Sequence, residues 1–362
     1  MQGKLEFIMA EENVNLKNEA RSPFLVLGIE SSCDETAASV VSNDFRILSN
    51  IVGSQFEHHQ PYGGVVPELA ARAHSQTIDI IVSRAIKEAG ISFGDLNAVA
   101  ATGGPGLIGG VLVGATFGKA LALANQIPFL AVNHLEGHAL TARLTDQLDF
   151  PYLLLLVSGG HSQILIVKDV GNYKLLGTTL DDAVGEAFDK IAKLLGIDMP
   201  GGSNLEKLAL RGDPEKYRFP RPLLGRPDCN FSLSGLKTAV RYKINQLRNI
   251  SSQDKADISA SFQKAVCDVI VDRCANAIDK CQLDLGKSLS FVAAGGVSAN
   301  KSIRTALRTL SHQKGIQFIA PPISLCTDNA AMIAWAGVER FNQGDFDGFD
   351  FLPKPRWPLA DI

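Results

Sequence analysis

No CxxC pair occurs among the six cysteines, at positions 33, 229, 267, 274, 281 and 326, so a disulfide framework is not expected. Charge of one sign is also lacking. A net charge of -3 and a pI near 6.2 leave no global nucleic-acid signature, and any such surface must be local. No run approaches the roughly 18 consecutive apolar residues of a membrane span, which makes the cytoplasm the default location. Residues 1–23 lack both a signal-peptide core and the arginine-rich, acid-poor character of a transit peptide. With Glu6, Glu11, Glu12 and Glu19 among them, they read as a disordered leader.

What is present suits a folded, soluble α/β chain. With 362 residues, 46% hydrophobic and 20% charged, two domains can bury ample cores without covalent staples. Cys267, Cys274 and Cys281 recur every seventh residue. On a helix such neighbours lie about 10 Å apart, too far to share an ion, and with Ile270 and Ile278 they form an apolar stripe. From Lys207 to Arg248 ten Lys or Arg stand against three acids, which is either a solvated face or a local anion-binding surface.

Chemistry first shows in His134-Leu135-Glu136-Gly137-His138. Imidazoles four positions apart share one helix face and can hold one ion. Glu136 cannot serve a zinc peptidase there, because at about 100° per residue it points some 200° from His134. A third ligand is available in Asp328 of Thr327-Asp328-Asn329, at the start of an expected helix Ala330–Phe341. Two His and one Asp with open positions suit Fe(II) or Zn(II) acting on a bound substrate. A buried His pair with an N-cap Asp reads the same residues equally well.

Phe24–Val41 and Tyr152–Val167 each run apolar strand, small polar turn, apolar strand, the pattern of a β-hairpin with a functional tip. The second begins about 128 residues after the first, which points to two related halves. The expected divisions are a leader (1–23), an N-terminal lobe (24–149), a C-terminal lobe (150–345) whose last helix, 328–342, lies near the lobe interface, and a tail (346–362). Helices are expected over Glu68–Ala89, Val111–Asn125 and Asp181–Leu195, the last with acids in its first turns and a polar stripe of Asp182, Glu186, Asp189 and Lys193. Glycine-rich turns follow short strands at Ala101–Gly110 and Ser290–Asn300, and backbone amides at such turns can approach phosphate. Glycine pairs at 159–160, 201–202 and 295–296 place a nucleotide cleft in the second half.

Nine ordered segments, GIESSCDET, YGGVVPELAARAH, GGPGLIGGVLVGA, NHLEGH, LLVSGGHSQ, DDAVGEAFDKIAKLLG, FSLSGLKTA, AAGGVSANKSIR and CTDNAAMIA, resemble the tRNA threonylcarbamoyladenosine synthase family, once described as glycoproteases. The resemblance spans nearly all of residues 25–342. It implies a duplicated actin-like, sugar-kinase-like and chaperone-ATPase-like α/β fold with a cleft between two lobes. It also implies transfer of a threonylcarbamoyl group from threonylcarbamoyl-AMP to N6 of the adenosine just 3′ of the anticodon, in tRNAs reading codons that begin with A.

Position by position, the resemblance makes His134, His138 and Asp328 the ligands of one divalent ion per subunit, Fe(II) with Zn(II) as the alternative. It assigns Val157, Ser158, Gly159, Gly160, His161, Asp189, Gly202 and Asn300 to the adenylate substrate, in a cleft that an adenine nucleotide can also occupy. Asp34 and Glu35 match acidic positions needed for activity. Ser203 departs from the family's Pro-Gly-Gly-Pro turn. The implied partners are the tRNA anticodon stem-loop, a catalytically silent paralogue of the same fold and a small P-loop ATPase, with no membrane. Lys207–Arg248, with Arg218 and Arg221, is the candidate tRNA contact, and Glu68–Ala89 with the helix after Gly110 the candidate docking face. An ATP-dependent kinase or ATPase of the same fold, a metallopeptidase and a non-catalytic scaffold are the rival readings.

Overall fold

The structure, a computed structural model, describes residues 23–247, 249–285 and 289–361. The expected leader lies outside them apart from Pro23, as does Arg248. The first half contains β1 (Leu25–Glu30), β2 (Glu35–Ser42), β3 (Ile47–Ser54), α1 (Phe56–His59), α2 (Pro67–Ala89), β4 (Ala98–Gly104), α3 (Ile108–Asn125), β5 (Phe129–Asn133) and α4 (His134–Asp146). The second contains β6 (Tyr152–Val157), β7 (Ser162–Asp169), β8 (Asn172–Thr178), α5 (Val184–Leu194), α6 (Gly201–Ala209), α7 (Ser234–Gln246), α8 (Ser252–Leu285), β9 (Ser290–Ala294), α9 (Lys301–Lys314), β10 (Gln317–Ile319) and α10 (Ala330–Gln343).

The two sheets have one topology. The first runs β3-β2-β1-β4-β5 and the second β8-β7-β6-β9-β10. In each, an antiparallel three-strand meander is extended by two parallel strands. Both expected hairpins form, β1 with β2 and β6 with β7.

Why β6 reads YLLLLV follows from its two faces. Leu153, Leu155 and Val157 enter the outer core of the second lobe, while Tyr152, Leu154 and Leu156 enter a central core that also holds Val26, Leu130, Val132 and residues of α4 and α10. A strand buried on both sides loses the apolar–polar alternation. Helices α4 and α10 therefore lie between the sheets, and α10, though late in the chain, packs on β1, β2 and β4 of the first. Gly28 makes this approach feasible, since a Cβ there would sit 2.4 Å from the Ala330 carbonyl oxygen. This crossing carries Asp328 back over the cleft to the helix that bears the histidines.

Several boundaries differ from expectation. Helix α2 ends as foreseen at Gly90, in the left-handed region with φ 71°. Helix α5 starts at Val184 rather than Asp181, because Asp181 accepts hydrogen bonds from the Leu233 and Ser234 amides and holds the start of α7. Helix α3 starts three residues early, at Ile108. The Cys267–Cys281 stripe turns into the outer core of the second lobe, as its spacing predicts. Helix α3 is also the one helix among the described residues long and apolar enough, by length and composition, to cross a bilayer, and 33% of it is buried. Ile108, Leu112 and Leu123 remain exposed on it.

Candidate functional site

Strand β5 ends at Asn133, whose side chain accepts from the Leu135 amide and caps α4. His134 is thus the first residue of the helix, and His138 follows one turn later on the same face, the rings 4.9 Å apart. At α10 the N-cap is Asn329, accepting from the Met332 amide. Asp328, read from sequence as a possible cap, is relieved of that role and turns toward the histidines. Its Oδ1 stands 3.2 Å from His138 Nε2 and 3.5 Å from His134 Nε2.

All three donor atoms lie within 4.8 Å of one another, and their chemistry fits an ion. Ligands around a cation held at about 2.1 Å stand about 3.0–3.4 Å apart, close to the two distances to Asp328. Sequence reasoning missed the residue that orients this set. Glu30, at the end of β1, lies 2.9 Å from His134 Nδ1 through Oε2. It also accepts from the Ser32 amide at 2.6 Å and the Thr102 hydroxyl at 2.5 Å. A carboxylate on Nδ1 fixes the ring so that Nε2 faces the ligand position. His138 Nδ1, by contrast, is buried without a hydrogen-bond partner among the described residues.

The charges are strongly coupled. Burial disfavours ionised His134, but Glu30 and Asp328 more than reverse this and raise its pKa to about 9. For Asp328 burial is likewise outweighed, by His134 and His138, so its carboxyl stays below the usual range. Glu35 is pushed up to about 9, first by burial and then by Asp328 and Asp34. Burial and the two neighbouring imidazoles lower His161 to about 4, so it is neutral at pH 7.

A cavity of about 890 Å³ opens before these groups. Asp34, Glu35, His134, Ser158, Gly159, Gly160, His161, Asp189, Gly202, Asn300 and Asp328 line it, at the carboxyl ends of the parallel strands, where open α/β sheets bind ligands. His138 and Val157 stand one layer behind, both buried. Asp189 Oδ1 accepts from the Gly202 amide at 3.0 Å, and burial raises its pKa. Asn300 is already engaged through both polar atoms, capping α9 at the Ile303 amide and donating to Gln263.

The glycines divide into two kinds. A Cβ on Gly104, Gly106 or Gly110 would come within 2.6 Å of backbone oxygen atoms of Lys354, Ser32 or Ser31 respectively. In that first turn, close packing rather than phosphate approach explains the composition. Gly159 and Gly160 have nothing within 4 Å of an added Cβ, and neither has a left-handed φ. Neither packing nor backbone conformation requires glycine there, and both present bare backbone to the cavity.

The expected tail does not stand apart. Pro355, Arg356, Trp357 and Pro358 line the cavity, a placement sequence gave no sign of because backbone bonds hold it. Of the basic stretch, Arg221 is tied to Asp268 and to the Phe219 carbonyl, and Lys237 to Asp182. Glu136 faces away from the cleft as its spacing predicts, accepting from the Tyr173 hydroxyl and the Gly171 amide.

Twin sheets, a cleft at their strand ends and a His-His-Asp cluster between the sheets define a duplicated α/β protein of the actin-like class. Solved structures agree on the fold. HypF of T. kodakarensis superposes with TM-score 0.59 at 15% identity, over 90% of this chain and 49% of that one. Full-length HypF in a phosphate- and nucleotide-bound form gives 0.57 at 13%, over 92% and 48%, so the chain spans about half the length of either. Residues 46–335 match the family model described as tRNA N6-adenosine threonylcarbamoyltransferase. Proteins of that name from Brucella anthropi and Rhodospirillum rubrum are each 57% identical, over 93% of this chain and 95% of theirs. The chain belongs to the tRNA N6-adenosine threonylcarbamoyltransferase family.

Proposed function

We propose that this chain moves a threonylcarbamoyl group from threonylcarbamoyl-AMP to N6 of the adenosine 3′ of the anticodon, in tRNAs reading codons that begin with A. The observation that carries the reading is the pair Gly159 and Gly160, free of packing demands, in one cavity with His134 and Asp328, behind which His138 stands. His134, His138 and Asp328 would hold one Fe(II), with Zn(II) as the alternative, supplying charge stabilisation to the leaving phosphate. The Ser158–His161 turn presents backbone to the same phosphate, and an adenine nucleotide fits the same place. Asp189 and Gly202, joined by a hydrogen bond, with Asn300 and with Val157 behind, form the nucleoside end.

An exocyclic amine is a weak nucleophile, so the mixed anhydride provides the drive. N6 attacks the carbamoyl carbon, the bond from that carbon to the phosphate oxygen breaks, and AMP departs with the electron pair. The amine proton passes to Asp34. Glu35, beside it in the cavity lining, is the alternative acceptor for that proton.

A peptidase is disfavoured because Glu136 is bonded on the far side of α4. The kinase or ATPase reading lacks a glycine at the first tip, Glu30-Ser-Ser-Cys-Asp-Glu35. The apolar residues left exposed on α2 and α3, Ile80, Leu112 and Leu123, suit docking of the silent paralogue, with a small P-loop ATPase as third component. Arg218 and Arg241 are better candidates for tRNA contact than Arg221, whose guanidinium is already paired. A tRNA substrate sets the work in the cytoplasm.

The test supplies donor, unmodified tRNA and both partner proteins and counts modified nucleoside by mass spectrometry. Activity should fall about 10³-fold in the His134→Ala/His138→Ala variant, the kinetic equivalent of several kcal/mol. Undiminished activity would refute the metal-assisted reading.

A further inference from the structure

The cavity is lined by five carboxylates, Asp34, Glu35, Asp189, Glu206 and Asp328. Arg356 is the one Lys or Arg among the described residues that line it. A donor carrying a phosphate and an amino-acid carboxylate brings two more negative charges into this space. The glycine tip and the His-His-Asp centre face the phosphate. Neither faces the carboxylate.

Arg356 sits on a strap built to hold it. The Lys354 amide donates to the Gly103 carbonyl at 2.8 Å, and the Gly106 amide to the Pro355 carbonyl at 3.2 Å. One residue past the arginine, Asn133 Nδ2 donates to the Trp357 carbonyl at 2.9 Å. Trp357 is only 9% exposed, with Lys354 Nζ 4.4 Å from its ring centroid. Prolines at 355 and 358 further restrict the backbone. Gly104 has no room for a side chain, because a Cβ there would stand 1.8 Å from the Lys354 carbonyl oxygen. The strap is thus pinned on both sides of Arg356, to the ends of β4 and β5. Arg356 itself is exposed.

Direction along the cleft selects the anion. Asp189, Gly202 and Asn300 belong to the second lobe, the His-His-Asp centre is central, and Ser32–Glu35, Pro105–Leu107 and the strap form the first-lobe end. A donor with its nucleoside in the second lobe and its phosphate at the centre extends its acyl portion toward the strap. We infer that Arg356 binds the carboxylate of the threonyl moiety and thereby selects donors built from an amino acid. The inference rests on the transfer reading above. A planar fork matches a carboxylate through two parallel hydrogen bonds, which a lysine cannot reproduce.

The test compares the native donor with one whose threonyl carboxylate is a primary carboxamide, in the complete system, using the unaltered chain, Arg356→Ala and Arg356→Lys. With the native donor, Arg356→Ala should raise KM about 30-fold, with kcat changed less than about threefold. Arg356→Lys should recover part of that loss. With the carboxamide donor the unaltered chain should already show the higher KM, and Arg356→Ala should add less than about twofold. Equal losses for both donors would overturn the assignment. So would a shift confined to the KM for tRNA with a flatter salt dependence, which would move Arg356 to a nucleic-acid phosphate. Failure of the unaltered chain to turn over the native donor would overturn the transfer reading itself, a result distinct from either. A melting temperature for Arg356→Gln matching that of the unaltered chain would separate lost binding from lost structure.

Discussion

The two hairpin tips occupy the same place in twin sheets and have opposite chemistry. The first, Glu30–Glu35, is acidic and tied down: the Leu107 amide donates to the Ser32 carbonyl at 2.7 Å, the Gln55 amide to the Asp34 carbonyl at 3.0 Å, and His74 Nε2 lies 3.1 Å from the Cys33 carbonyl. The second, Ser158–His161, is a short turn closed by the Ser158 amide on the His161 carbonyl at 2.8 Å, with two glycines that nothing crowds. Duplication supplies one scaffold twice. Divergence of the tips gives one side the carboxylates and the other the bare backbone, so neither lobe alone makes the site. Adjacent acids differ in the same way. Asp34 and Glu35 face the cavity, whereas Asp181 and Asp182 are engaged in hydrogen bonds and ion pairs that join α5 to α7.

Breaking the first tip should have the largest effect. Glu30→Gln removes the charge behind His134 and should weaken divalent-ion binding 10- to 100-fold, about the cost of losing such an outer partner, read by calorimetric titration. Unchanged affinity would mean that the Glu30 contact is only structural. Next comes the second tip. Gly159→Ala or Gly160→Ala should raise the donor KM about tenfold and leave the melting temperature where it was, because no atom lies within 4 Å of the added carbon. A lower melting temperature with unchanged KM would make these glycines structural.

The smallest effect is expected for Asp181→Ala, which should cost about 1 kcal/mol of stability at pH 7, allowing for solvent screening, with little change in activity. Burial raises the Asp181 pKa, but the Ser232 and Ser234 hydroxyls and the Leu233 and Ser234 amides outweigh it, so the folded-state value lies below the ordinary 3.8. Its contribution is present above that ordinary value and lost as pH falls through the depressed one. Thermal melts of variant and unaltered chain should therefore draw together as pH falls below about 3.8 and meet only below the depressed value.

Much of this design is legible from residue order. Paired apolar strands around small polar turns mark both hairpins, and two histidines at i and i+4 mark a chelating helix face. Asp328 is harder, because a carboxylate before a helix reads equally as a cap, and only the Asn329 side chain on the Met332 amide decides between them. The start of α5 is hidden for the same reason: first-turn acids and acids gripping another segment look identical in sequence. Glu30 carries no sequence signal because its partner is 104 residues away, and strand-end carboxylates have no periodic signature. The strap reads as a tail because backbone carbonyls, which every residue carries, secure it.

The most direct test of a His-His-Asp centre joined from distant parts of the chain is ion stoichiometry. The chain, stripped of metal and titrated with Fe(II) or Zn(II) under exclusion of oxygen, should bind one ion per subunit. That binding should be lost in Asp328→Ala from the second half as fully as in His134→Ala/His138→Ala from the first. An ion retained with unchanged affinity after Asp328→Ala would contradict a centre built from α4 and the residue leading into α10.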